Sequence, residues 1–477
     1  MIDQARGDRW RVLPLILLAP LMGSLDGSIV NVALPTIARR LDVGMDAVQW
    51  TASSYLIAIS ALILVFGKVA DKIGKKRIFV LGFLAFGIGS ALCALAWSLP
   101  VLIATRVFQA IGAAMFMSSN QGIIATLFPP GERGRALGFS GTTVAVGTML
   151  GPPVGGFMVD LLGWQSLFLI NVPISILAFA AGRRLIPGDG KEESLEGFDV
   201  RGSALFVVFV VCFFYFLLGD QARGWSAPDR LASLAAGVAC GYLFVRRERR
   251  IDDPMIDFSI FRNGLFSMSV ACVLILFVAT FCVNIVLPFY LQDALGLSPS
   301  RAGLLLLASP LASGLLAPLS GYLADRLSAK ALTAAGLAVL LAGLLAMGSF
   351  GLGTSPAVVA ACLLLFGAGS GIFGSPNTKL IMSHAPADKL GIAGSINSLA
   401  RNLGMVSGIA FSMALLMGSM SARAGEHVGG FDPARPELFI FGMRVVFRAA
   451  AAICAAGLAL SLARALKSDP GYGREGS

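Results

Sequence analysis

From near residue 13 to near residue 464 the chain alternates long apolar runs with short polar breaks. Many of the runs approach the ~20 residues that a helix needs to cross roughly 30 Å of hydrocarbon. The pattern predicts fourteen helices, at about 12–32, 48–66, 78–97, 100–126, 137–159, 165–186, 199–219, 230–246, 264–290, 301–322, 331–350, 356–382, 390–418 and 439–463. A single early run could be a signal peptide, but such a succession cannot. The fold class is therefore an all-α integral membrane protein. Composition agrees: soluble domains carry roughly a quarter charged residues, whereas this chain has 13% and a mean hydropathy of +0.80.

Charge sets the orientation. An even helix count puts both termini on one side, and if that side is the cytoplasm, 26 of the 37 cations fall in or beside inner segments and eight in outer ones. Arg106, Arg401 and Arg448 remain inside predicted spans. This positive-inside bias explains the net charge of +10 better than nucleic acid does. The seven cysteines contain no Cys-x-x-Cys pair, and His384 and His427 are the only histidines, so no metal site is expected. The loops are too short for a soluble catalytic domain. Segment 419–438, with its glycines and prolines, predicts an irregular outer hairpin.

The most polar break is Gly67 to Arg77, GKVADKIGKKR, with five cations and Asp71. It predicts a tight turn at the membrane surface between helices 2 and 3. Residues 321–330, GYLADRLSAK, repeat it in part, with Gly321, Ala324, Asp325, Arg326 and Lys330 on Gly67, Ala70, Asp71, Lys72 and Lys76. If helices 7 and 8 are an insertion, the chain reads six, two, six. Duplicated halves of this kind are usual in carriers that work by alternating access.

Asp26 is the one carboxylate well inside a predicted span of the first six helices. An acid there must face a wet cavity, find a partner or take up a proton, which are the conditions of a coupling site; a fixed contact with Asn31 or a neighbouring helix is the alternative. Arg106 cannot shed its charge and must be paired or hydrated. The sequence leaves open whether it reaches Asp26, and Gln109 lies one turn away. Cavity-lining candidates are Asn31, Trp50, Tyr55, Gln109, Phe116 and Met117 in the first group. In the last group they are Phe281, Asn284, Phe289, Asn377 and Asn397. With a single membrane acid, such a cavity suits bulky amphipathic or monovalent lipophilic cations.

At these residues the chain resembles the major facilitator superfamily, and within it the fourteen-helix drug:proton antiporters of the EmrB/QacA-like branch. Gly67 to Arg77 is similar to the superfamily's helix 2–3 signature. Leu25 to Pro35 (LDGSIVNVALP) resembles the branch's first-helix motif, Arg106 to Ala114 (RVFQAIGAA) its helix 4 motif, and Gly147 to Gly156 (GTMLGPPVGG) its helix 5 antiporter motif. Ala110 and Gln165 depart from the pattern, where glycine and arginine are usual. The resemblance implies proton coupling through Asp26 and Arg106. It also implies a conformational gate of Gly67, Asp71, Gly74, Lys75 and Arg77, with Arg135 a partner, and with Asp325 and Arg401 in the second copy. Gly147, Gly151, Pro152, Gly155 and Gly156 would pack between the halves and limit leak. Arg401, the arginine of an Arg-x-x-Gly stretch, would meet carbonyls, a carboxylate or the substrate.

The expected organisation is a cytoplasmic tail (1–11), a six-helix bundle (12–186), two inserted helices with linkers (187–263), a second bundle (264–463) and a cytoplasmic tail (464–477). The expected function is a proton-coupled exporter of hydrophobic or lipophilic-cationic compounds in the bacterial inner membrane. It would work as a monomer on protons and small amphipathic substrates, amid lipid, without nucleic acid or any cofactor beyond the proton gradient. Export of a specific metabolite, amino acid or siderophore is the alternative within transport, and a receptor or scaffold the alternative outside it. No paired carboxylates, histidine cluster or phosphate loop points to an enzyme.

Overall fold

The computed structural model describes residues 9–188, 197–219, 226–251, 254–386 and 390–466. Parts of the expected tails 1–11 and 464–477 and of linkers 187–198, 220–229 and 247–263 lie outside the described residues. Among the described residues, fourteen long helical segments succeed one another. The first eight are α1 (Arg9–Leu41), α2 (Trp50–Ile73), α3 (Lys75–Ala94), α4 (Leu99–Leu127), α5 (Pro130–Leu162), α6 (Asn171–Leu185), α7 (Val200–Leu218) and α8 (Pro228–Glu248). The last six are α9 (Gly264–Phe289), α10 (Pro299–Arg326, broken at Leu307), α11 (Ala329–Met347), α12 (Pro356–Ser383), α13 (Leu390–Ala424) and α14 (Pro436–Leu466). Thirteen are apolar enough to span hydrocarbon, and α8, richer in charge at its ends, completes the set. All fourteen predicted helices are present, in an all-α integral membrane fold.

Two expectations change. The Gly67 to Arg77 run is not an extended turn: α2 continues to Ile73 and α3 begins at Lys75, leaving Gly74, at φ 102°, as the break. That backbone region is open to glycine and strained for other residues. Between α13 and α14 only residues 425–435 are irregular, so the predicted hairpin 419–438 shortens. Arg435 ties it by pairing with Glu426 and Asp432.

The first six helices pack on one another, as do the last six, and glycines set the closest approaches in matching places. A Cβ on Gly82 of α3 would stand 2.8 Å from the Phe116 amide nitrogen of α4, and one on Gly336 of α11 would stand 2.7 Å from that of Phe373 of α12. Gly67 faces Ser118 as Gly321 faces Ser375. The repeat seen in two loops thus extends through the packed interiors. Helices α7 and α8 pair with each other, and α7 lies against both α2 and α13, so the insertion covers a seam between the two groups. Asp199 caps α7 by accepting from the Gly202 amide (2.9 Å). Hydrogen bonding from Arg247, at the end of α8, holds the Asp199 carboxyl below the usual range.

Gly112 of α4 meets the backbone of Gly82 and Phe86, so Gly112→Val is expected to cost roughly 1–3 kcal/mol through overpacking. Gly27→Ala, where a Cβ meets nothing within 4 Å, provides the control in thermal unfolding; equal melting temperatures would contradict the packing.

Candidate functional site

Asp26 of α1 and Arg106 of α4 are both essentially excluded from solvent and form an ion pair, with Arg106 Nη1 donating to Asp26 Oδ2 at 2.6 Å. The other carboxylate oxygen, Oδ1, accepts from Gln109 Nε2 and from Asn171 Nδ2, each at 3.0 Å. Arg106 also donates to Gln109 Oε1 (2.6 Å) and, through Nε, to the Thr51 carbonyl (3.1 Å). Its guanidinium lies over the Tyr55 ring, 4.0 Å from the centroid. Gln109 further donates to Ser90 Oγ of α3 (2.8 Å). Five helices, α1, α2, α3, α4 and α6, therefore meet at one carboxylate.

The carboxylate collects three donors, one of them cationic, and charge-assisted bonds are the stronger kind. The pair thereby ties α1 to α4 and α6. The Tyr55 hydroxyl, Thr51 Oγ1 and Asn171 Oδ1 are buried without a partner, leaving polar capacity around the pair.

Several sequence-derived assignments shift. Asn31 does not hold Asp26. Tyr55 belongs to the ion-pair network rather than to a cavity wall. Phe116 is wholly buried between α3 and α4, stacked on Phe83 at 5.0 Å. Asn377 is structural: it donates to the Ser269 carbonyl (3.0 Å) and accepts from Arg464 (2.8 Å). Arg464, counted by sequence among the cytoplasmic cations, is fully buried and also meets Ser269, Ser461 and Thr333. Met117 lies beside Gly23 of α1, while Trp50, Asn284 and Asn397 are half-buried. Phe281 packs against Gly408 of α13. Asn171, Ser90 and Thr51 were missed as partners. Asn171 stands inside FLINVP, where its position on a neighbouring helix is visible only in three dimensions.

The gate candidates are dispersed. Asp71 pairs with Lys75 (2.7 Å) and Asp325 with Lys379 (2.7 Å), while Arg135 stacks on Trp10 and Phe139 instead of meeting Asp71. Gly67 lies in α2, Gly74 separates α2 from α3, and Arg77 stands in the first turn of α3. Arg401 has the Phe277 ring at 6.0 Å and no carbonyl or carboxylate partner among the described residues, so two of its three expected contacts are not made. In the helix 5 motif, Gly147, Gly151 and Gly155 receive Leu21, Ser24, Ser28 and Ile29 of α1, whereas Pro152 and Gly156 meet Gly303 and Pro299 of α10. Only part of the motif therefore lies between the two groups.

At the far end the two groups are tied. Gln292 donates to the Val32 carbonyl (2.7 Å), Arg39 pairs with Asp293, and the Ser300 amide donates to Asp160 (2.9 Å). The Met45 amide donates to the Gly429 carbonyl (3.1 Å). A cavity of about 420 Å³ lies there, lined by Arg39, Asp42, Phe289, Asp293 and Phe431 among others. Among the described residues no group of three or more His, Cys, Asp or Glu could hold a metal ion.

Comparison with known proteins gives a uniform result. The family model described as Major Facilitator Superfamily matches residues 16–409 and, overlapping, 269–475. The riboflavin transporter RibZ of Clostridioides difficile (strain 630) is 33% identical over 467 residues, 97% of this chain and 98% of its own. Multidrug resistance protein Stp of Mycobacterium tuberculosis (strain CDC 1551 / Oshkosh) is 33% identical over 406 residues, 85% of this chain and 75% of its own. A solved bacterial homolog of the human lysosomal transporter Spinster, inward-facing and unoccupied, superimposes with a TM-score of 0.66 at 19% identity, over 96% of each chain.

Arg106→Ala strands a buried carboxylate and is expected to destabilise the protein by about 3–5 kcal/mol, with Asp26→Asn added to it restoring part of the loss. A double-mutant cycle in thermal unfolding measures the coupling; strictly additive losses would deny it.

Proposed function

The chain belongs to the Major Facilitator Superfamily, alongside its drug- and antibiotic-resistance members, and on that premise we propose that it is a proton-coupled antiporter exporting hydrophobic compounds by alternating access. It is a multi-pass bacterial membrane transporter, not an enzyme. The observation that carries the coupling is the buried Asp26–Arg106 pair (2.6 Å). Residues 12–186 and 264–463 would form the two bundles, with 187–263 the insertion between them, and the EmrB/QacA-like branch is the closest description of that layout. The termini and the Gly67 to Arg77 segment would face the cytoplasm, and the protein would act as a monomer in the inner membrane.

The cycle follows from α1. Asp26 shares this helix with Val32, Thr36 and Arg39, which contact Gln292 and Asp293 of the second bundle. Val32 and Arg39 lie roughly 9 and 20 Å further along the axis at 1.5 Å per residue. With Asp26 charged and paired, α1 is anchored and the outer end is closed. Protonation of Asp26 from outside, once that end has opened, releases α1 from Arg106 and drives the substrate out; loss of the proton to the cytoplasm resets the pair. The glycine row of α5 gives α1 a smooth face on which to shift. Asp71 and Lys75 at the cytoplasmic end would latch the opposite, outward-open state.

Cationic cargo finds less support than hydrophobic cargo, because both carboxylate oxygens of Asp26 are already taken. Export of one specific metabolite is the second reading, favoured by the full-length match to a transporter named for riboflavin.

Adding a transported compound to purified protein first loaded with protons at acidic pH, in weakly buffered solution, is expected to release a proton, and Asp26→Asn to abolish that release. Unchanged release with intact antiport in the variant would sink the coupling role. Asp71→Asn is expected to slow exchange several-fold at near-normal equilibrium binding; loss of binding alone would remove it from the gate.

A further inference from the structure

Three buried or half-buried cations within the helical bundle are accounted for by their acceptors. Arg106 has Asp26, Arg464 has four side-chain oxygens, and Arg230 has the carbonyls of Phe216 and Leu217. Arg401 differs from these three. It is half-buried in α13, accepts the Phe277 ring as its neighbour, and has no hydrogen-bond or ion-pair partner among the described residues.

Helix α13 is packed by α9, α12 and α14 of its own group, by α2 of the other, and by α7, and none of its residues from 396 to 417 is exposed. Arg401 thus stands on a stretch of helix covered by its neighbours. One turn earlier on the same face stands Asn397, half-buried, with Oδ1 buried and unpartnered. One turn later Gly404 sits directly on Leu274 and Phe277 of α9, which floors the site with an aromatic ring. A guanidinium, an amide and an aromatic face are a recognition set for an aromatic compound bearing an acidic group.

The charge balance points the same way. In low dielectric an unpaired guanidinium is expensive and calls for a counter-anion, while the deep acid Asp26 is already matched by Arg106. We propose that Arg401, with Asn397 and Phe277, binds the anionic group of an amphipathic organic anion, so that the cargo class of this exporter is acidic aromatic compounds rather than lipophilic cations. The proposal rests on the transport reading above and names its cargo.

Binding to the full-length protein in neutral-lipid nanodiscs, without a proton gradient, tests the cargo separately from the coupling. Fluorescein serves as the anionic probe and rhodamine 6G as the cationic one, both followed by anisotropy. The parent is expected to bind fluorescein, Arg401→Gln to bind it at least tenfold more weakly, and Arg401→Lys to fall between. Asn397→Asp, which places a carboxylate one turn from Arg401, should abolish fluorescein binding with unchanged thermal unfolding, and so serves if Arg401→Gln fails to fold. Rhodamine 6G bound in preference to fluorescein, or fluorescein binding indifferent to both substitutions, would overturn the proposal. Displacement of fluorescein by equimolar chloride or phosphate would assign the site to an inorganic ion and overturn it equally. Asp26→Asn should still bind fluorescein, so failure of the coupling role would leave this result standing.

Discussion

A carboxylate and a guanidinium, both removed from solvent in the middle of the first six helices, constrain the rest of the molecule. Neither can stand alone in that environment without a penalty of several kcal/mol. Their mutual attraction therefore fixes how α1 lies on α4, and Gln109, Asn171 and Ser90 extend the constraint to α6 and α3. The same helix α1 reaches the far end, where it is tied to α9. One titratable group is thus mechanically continuous with the closure of one side of the bundle.

The second six helices repeat the packing but not the chemistry. Gly343 of α11 packs on Phe366 of α12 as Gly89 of α3 packs on Gln109 of α4. A polar residue that completes the ion-pair network in one copy is thereby a phenyl ring in the other, and Leu363 takes the place of Arg106 three residues before it. The duplicated scaffold is apolar where its counterpart is charged. In its place the second copy holds Arg464, buried on neutral oxygens near the chain's end, and Arg401, whose charge is left open to the interior. In the proposed cycle this asymmetry would separate a proton-handling group from a cargo-handling group without requiring a second membrane acid.

The inserted helices acquire a location but no chemistry. Helix α7 bridges α2 and α13, and Asp199 with Arg247 fixes α7 to α8.

Much of this was legible in the chain itself. Run lengths and polar breaks determined fourteen spans, because hydrocarbon thickness sets helix length and backbone hydrogen bonding leaves no alternative inside a bilayer. The repeated GxxAD segment marked the duplication, and the isolated Asp26 marked the candidate coupling acid. Helix ends were less visible: the Gly67 to Arg77 run looked like a loop because it is charged, yet charge at a membrane surface is compatible with helix. What tertiary structure alone decided was pairing. Whether Arg106 met Asp26, whether Asn377 faced a cavity or Arg464, and whether Arg401 found an acceptor all depended on which helix faces lie opposite one another. Sequence spacing fixes the face within a helix but not its neighbour, and for a buried charge the neighbour decides whether it anchors the fold or remains free to bind.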